Sequence, residues 1–348
     1  MNAAHSADPA ELDRSQLHRT AAALVAPGKG VLAADESVAT ITQRLEALGV
    51  ESTAETRRRY RELLLGAPRI DSHVSGVILY DETLRQAATD GTPFPELLAS
   101  RGILAGIKVD TGAKPLAGAP GETVTEGLDG LRERIAEYRD LGASFAKWRA
   151  VLSIGPGRPS RPCVVANAHA LARYAALCQE GGLVPIVEPE VLMDGDHDLD
   201  RCGRVTTTVL RAVFDQLHGA GVDLRAIVLK PSMVLPGSGA EPAEVAAVAD
   251  ATLRCLRDTV PASVPGIAFL SGGQGSRLAT EHLHAIASLG PHPWAVTFSY
   301  GRALQDDALR TWRGEPANVG TARSVLLRRV RCSGAAALGS YSPAMEAA

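Results

Sequence analysis

The 348-residue chain lacks most of the features that mark out a membrane, secreted or nucleic-acid-binding protein. No apolar run approaches the roughly 20 residues that cross a bilayer as a helix. The opening MNAAHSADPAELDRS carries acids where a secretion signal needs bases and an apolar stretch, so a cytoplasmic protein away from membranes is expected. Cysteines are few: Cys163, Cys178, Cys202, Cys255 and Cys332 are scattered and odd in number. That suits free thiols in a reducing compartment and matches no zinc spacing. Excess charge is missing too. The 36 Lys and Arg are interleaved with 39 Asp and Glu for a net charge of −3, which leaves no basic footprint for nucleic acid. No low-complexity tract divides the chain.

Metal-ligating patterns are equally scarce. Asp194, Asp196, Asp198 and Asp200 alternate like the opening of a calcium loop. Leu199 stands where the sixth-position glycine belongs, and Val205 where the bidentate glutamate belongs, so an EF-hand is excluded. His282 and His284 are two apart on an expected helix and cannot share a face. Neither a metal nor another cofactor is expected.

What the chain does have is a repeated pattern. Residues that are 45% hydrophobic and 22% charged can bury a large core. After a polar arm or first helix over 1–20, buried strands are expected at Val31–Ala34, Val74–Tyr80, Leu104–Asp110 and Ser144–Arg149. Four more follow at Leu183–Glu190, Ala226–Met233, Gly266–Gly273 and Pro293–Tyr300. Between them lie helical patterns: one carrying Ile41, Leu45 and Leu48, then Glu126–Leu141, Val164–Gly181, Arg204–Gly219, Pro242–Asp258, Ser276–Leu289 and Asn318–Gly334. Gly118–Glu122 and Pro236–Pro242 read as loops inside βα units rather than linkers. Eight alternating β and α units point to an α/β protein, a single closed (β/α)8 TIM barrel over residues 1–348, with a short C-terminal tail at 335–348 that is frayed after Tyr341. A doubly wound open sheet is the alternative.

In a closed barrel the chemistry sits at the C-terminal ends of the strands. The expected strands deliver Asp35, then Lys108 with Asp110, then Lys147 with Arg149, then Glu188 with Glu190. The sixth brings Lys230, the seventh Ser271-Gly272-Gly273, and after the eighth come Gly301 and Arg302. Glu188 and Glu190 are two apart and point the same way, as do Lys147 and Arg149. Buried charges must be paired, so these groups are expected to converge on one mouth.

Lys230 closes an apolar run, AIVL, and is followed by Pro231, which removes a backbone donor and ends the strand. An unperturbed lysine has a pKa of about 10.4, so only about one amine in a thousand is neutral at pH 7. A dry wall and a second cation raise that fraction, and Lys147 is placed to act as that cation. Glu188 is then the proton shuttle and Asp35 helps place the protons. The turn Ser271-Gly272-Gly273 and the pair Gly301-Arg302 lie where barrels build a phosphate site from backbone donors and a helix N-terminus.

The stretches GKGVLAADES, GVILYDETLRQ, GIKVD, PLAGAPGETVTEGLDGL, FAKWR, VPIVEPEVLMDGDHDL, LKPSMV, FLSGGQ and WAVTFSYGRALQ run in order from about Pro27 to about Ala303. They resemble class I fructose-1,6-bisphosphate aldolase. The resemblance implies that Lys230 forms a Schiff base with the ketose, and that Asp35, Lys147, Arg149, Glu188 and Glu190 are its catalytic neighbours. It implies phosphate contacts from Ser37, Lys108, Ser271, Gly272, Gly301 and Arg302, with Arg44 at the rim. The implied substrate is a sugar phosphate, the implied reaction is cleavage to dihydroxyacetone phosphate and glyceraldehyde 3-phosphate, and the implied assembly is a tetramer. Thr40, Gln43 and Thr111 depart from residues common in the family. Many eukaryotic members carry a tail ending in a tyrosine that exchanges a proton on the enamine. This chain ends in SPAMEAA, and Glu188, or water that it holds, is expected to take that role.

Overall fold

A computed structural model describes residues 9–347, with side chains from Arg14 onward. Among the described residues ten strands form in chain order: β1 (Gly30–Ala34), β2 (Val74–Leu79), β3 (Leu104–Lys108), β4 (Gly112–Pro115), β5 (Thr123–Glu126), β6 (Phe145–Leu152), β7 (Val184–Val191), β8 (Val228–Leu229), β9 (Gly266–Phe269) and β10 (Ala295–Tyr300). Eight of them, all parallel, close in the order β1-β10-β9-β8-β7-β6-β3-β2. Helices link the strands, so the architecture is the expected (β/α)8 TIM barrel.

The inside of the barrel is layered. Val31, Ala33, Ile78, Phe145, Val184, Ile186, Ala226, Val228 and Ala268 form an apolar cluster with Leu17, Ala21, Leu24 and Val25. The last four come from the helix Pro9–Leu24 and the turn after it, which plug the N-terminal end of the barrel. Part of the expected N-terminal arm is therefore a packed helix; residues 1–8 lie outside the described residues. Two residues further along four of these strands stand Asp35, Lys147, Glu188 and Lys230. The period-2 alternation of a strand puts all four on the same inner face, one layer above the apolar one. Gly106 on β3 makes the lower layer possible, because a Cβ there would overlap the ring of Phe145.

Several boundaries differ from expectation. The ladder at Val228–Leu229 is much shorter than the expected strand. It is preceded by a 3-10 turn at Leu224–Ala226, capped by Asp223, and it ends because Pro231 has no N–H to contribute. The expected helix Glu126–Leu141 begins only at Leu131, because Thr123–Glu126 pairs antiparallel with Gly112–Pro115 as a hairpin outside the barrel. Its turn is the glycine-rich Gly118–Glu122 segment. Helices at Ala54–Leu65 and Arg302–Trp312 add to those expected. The tail folds back: Glu346 pairs with the buried Arg329 and accepts a 2.9 Å hydrogen bond from the Tyr341 hydroxyl.

Candidate active site

The charged layer forms one connected cluster. Lys147 Nζ donates to Asp35 Oδ2 at 3.0 Å and lies 2.9 Å from Glu188 Oε2. The other Glu188 oxygen, Oε1, lies 3.1 Å from Lys230 Nζ, so one carboxylate bridges two ammonium groups. Lys147, Glu188 and Lys230 are all buried. The ladder positions them: β6 and β7 pair with Lys147 opposite Ile186 and Arg149 opposite Glu188, while Leu229 pairs with both Val187 and Ile267. Backbone bonds carry the frame past the short ladder, since Lys230 N donates to Val187 O at 2.8 Å and Leu270 N to Pro231 O at 3.1 Å.

The two lysines differ in what surrounds them. Burial works to lower both, but Lys147 is held well above its ordinary range by two carboxylates, Asp35 and Glu188. Lys230 has a single carboxylate at contact distance; burial, with repulsion from Lys147 behind it, keeps it below the usual lysine value. Asp35 is driven down to about 2, because Lys147 and Lys230 outweigh the cost of its burial. Glu188 is likewise lowered against its burial by Lys147, Lys230 and Arg149. The resting cluster thus has two carboxylates in their ionised form and one lysine poised to lose its proton.

A second pair lies at the rim. Arg149 binds Glu190 and is partly exposed, and its backbone N donates to Asp110 Oδ2 at 3.2 Å. Lys108 is tied to Asp110, both to its carboxylate and to its carbonyl at 2.8 Å. Asp110, which no motif reading singled out as a support, therefore locks two candidate residues together.

On the far side of the mouth, Ser271-Gly272-Gly273 turns with φ of +58° at Gly272 and +90° at Gly273, conformations that favour glycine. A Cβ on Gly273 would sit 3.8 Å from Arg302 Nη2, which places that guanidinium against the turn. Arg302 opens the helix Arg302–Trp312 after Gly301, and it makes no ion pair among the described residues. The turn, Arg302 and the N-terminus of the helix Ser276–Ser288 border a cavity of about 280 Å³, which Asp306 and Asp307 also line. Gln274 holds the turn in shape: its Nε2 donates to Ser271 O at 3.0 Å and its Oε1 meets His282 Nδ1 at 2.6 Å. His282 is thus a buried support of this turn, a role invisible in its spacing.

Two expected contacts are engaged elsewhere. Ser37 caps the helix Val38–Glu46, accepting from Thr40 N at 3.3 Å. Arg44 is bound to Glu36 and, at 2.8 Å, to Asp306. Glu36 in turn receives 2.8 Å from the buried Arg61. Arg44 is therefore neutralised in an ion network rather than offered as a free rim cation. Among the described residues, no group of three or more His, Cys, Asp or Glu side chains could hold a metal ion.

The fold and the cluster together define a (β/α)8 barrel with a lysine–carboxylate site at the mouth of its strands. The model of the family described as "Glycolytic: Fructose-bisphosphate aldolase class-I" matches residues 16–348. A probable fructose-bisphosphate aldolase class 1 from Xanthomonas campestris pv. campestris is 55% identical over 328 residues, covering 94% of this chain and 98% of the relative. Fructose-bisphosphate aldolase C from Homo sapiens is 50% identical, over 96% of this chain and 92% of the relative. The solved fructose-bisphosphate aldolase of Plasmodium falciparum, in complex with TRAP and a small-molecule inhibitor, superposes with a TM-score of 0.94 at 46% identity, covering 96% and 97% of the two chains. The chain belongs to the class I fructose-bisphosphate aldolase family. Its function is that of a glycolytic aldolase, a carbon–carbon lyase acting on a sugar phosphate.

Proposed function

We propose that Lys230 is the Schiff-base nucleophile of a metal-independent cleavage of fructose 1,6-bisphosphate. The observation that carries this is the unequal pairing of the two buried lysines: Lys147 answers to two carboxylates and Lys230 to one. Glu188 takes a proton from the Lys230 ammonium, and the neutral amine adds to the C2 ketone. The protonated Glu188 returns that proton to the departing hydroxyl, so water leaves as the iminium forms. Glu188 or Asp35 next accepts the C4 hydroxyl proton. The C3–C4 bond breaks, its electron pair flows into the iminium, and glyceraldehyde 3-phosphate departs. Protonation of the resulting enamine and hydrolysis release dihydroxyacetone phosphate and restore Lys230. Lys147 remains a cation throughout and stabilises carboxylate charge; Arg149 and Glu190 hold the rim.

One phosphate rests on the Ser271-Gly272-Gly273 turn and Gly301-Arg302, where an unpaired guanidinium meets backbone donors. Ser37 and Lys108 serve the substrate phosphates from the opposite side, and Arg44 joins them only by exchanging a carboxylate partner. By family resemblance the chain works as a single-domain cytoplasmic homotetramer without a cofactor.

Lys230→Met tests the central assignment. A buried strand end accepts the apolar isostere, so the variant is expected to fold while cleavage and substrate-dependent borohydride trapping both vanish. Trapping retained on another lysine, found by peptide mapping, would sink the assignment.

A further inference from the structure

At the N-terminal end of the barrel, opposite the mouth, the chain builds a second cationic cavity of about 300 Å³. Its place is fixed by His73, whose carbonyl accepts a 3.0 Å bond from Gly30, the first residue of β1, and which directly precedes β2. One wall is the turn bearing Arg69, Ser72 and His73; the other is the helix Val319–Ala337, which contributes Ser324, Arg328 and Arg331. The three helix residues are spaced four and three apart and so share one face.

Two observations mark this as more than a basic surface. No carboxylate lines the cavity, and neither Arg69 nor Arg328 makes an ion pair among the described residues. Arg328 is half-buried and Arg69 exposed, whereas Arg57 is matched by Glu82 and Arg61 by Glu36. Arg69 also sits at φ +59°, a left-handed conformation that a non-glycine residue rarely adopts. Gly334 lets the helix approach, since a Cβ there would lie 3.2 Å from His73 Nδ1.

We propose that this cavity is an anion site separate from the substrate site, taking a small polyphosphorylated anion between Arg69 and Arg328, with Ser72 and His73 donating hydrogen bonds and Ser324 joining them by turning its hydroxyl from Gly320 O. Two guanidinium forks and hydroxyl donors suit a pair of linked phosphates better than one carboxylate. The volume is at the low end for small-molecule sites and fits a compact ligand. Among the described residues no Phe, Tyr or Trp lines the cavity to give a nucleobase a broad stacking face. The concave shape, with Leu327 as its one apolar lining residue, favours a free anion over a lipid headgroup.

His73 reports on the site independently of the mouth. Burial, then Arg331 and Lys29, keep its imidazole below the usual value, with Asp71 opposing them. A bound anion offsets the two cations, so the His73 titration midpoint should rise. The test is the His73 C2–H resonance, assigned with His73→Gln, followed through a pH titration with and without inorganic pyrophosphate. Expected is an upward midpoint and saturation at a concentration that becomes at least about tenfold higher in Arg69→Ala/Arg328→Ala, whose cleavage activity stays at the wild-type level. A His73 resonance blind to pyrophosphate overturns the proposal. So does an equal response in the double variant, or a response only to vesicles carrying phosphatidylinositol phosphate.

Discussion

The chemistry of the mouth depends on how many partners each charge has. Lys147 and Lys230 arise from the same residue type on neighbouring inner faces, yet Asp35 reaches only Lys147 at 3.0 Å. Asp35 is therefore both a catalytic candidate and a stabilising group. Its carboxyl is held near 2 in the fold against 3.8 when unperturbed. The native state then binds fewer protons than the unfolded chain between these values, so the contribution is complete above about pH 4 and disappears as pH falls through about 2. Asp35→Asn is expected to cost about 2 kcal/mol at pH 7, with wild-type and variant stabilities converging in strong acid. Urea denaturation at neutral and acidic pH measures this; equal stability at pH 7 would show that Glu188 alone satisfies Lys147.

At the scale of elements, turns and helix ends aim the binding groups. The Ser271-Gly272-Gly273 turn needs positive φ at two successive residues and is held by Gln274 and His282. Gly273→Ala would strain a residue at φ +90° and press on Met193 Sδ, 3.3 Å from the added carbon. Expected are a stability loss of about 1 kcal/mol and a KM raised about three- to tenfold with kcat nearly unchanged; a fall in kcat alone would place the turn in the chemistry instead. The C-terminal segment is also an ordered element. Tyr341 is buried against the His284 ring, with its hydroxyl on Glu346, between outer helices rather than in the charged layer. Tyr341→Phe should therefore change tritium exchange from dihydroxyacetone phosphate by less than about threefold, under 1 kcal/mol in barrier. A selective collapse of exchange with cleavage preserved would assign that proton step to Tyr341.

Over the whole molecule, the barrel separates stability from reactivity along its axis. A helix and an apolar layer close one end, and the charged layer is stacked on them toward the other. The proposed iminium serves as the electron sink, so EDTA dialysis is expected to leave cleavage unchanged; loss of activity restored by zinc would overturn that reading. Much of this was legible in the chain. Strand alternation put Lys147 with Arg149 and Glu188 with Glu190 on shared sides at strand ends, and Pro231 marked where the strand beneath Lys230 stops, because a two-residue period and a missing N–H are local properties. Pairing was not legible. That Glu188 bridges both lysines, that Arg44 is neutralised by Glu36 and Asp306, and that Arg69 and Arg328 line one cavity with no carboxylate among its described lining residues all join residues far apart in the chain. The sequence by itself determined which charged groups stand at which strand ends. Only barrel closure decided which charges meet, because a charge's energy depends on distances and local dielectric, quantities that exist only once the strands are side by side.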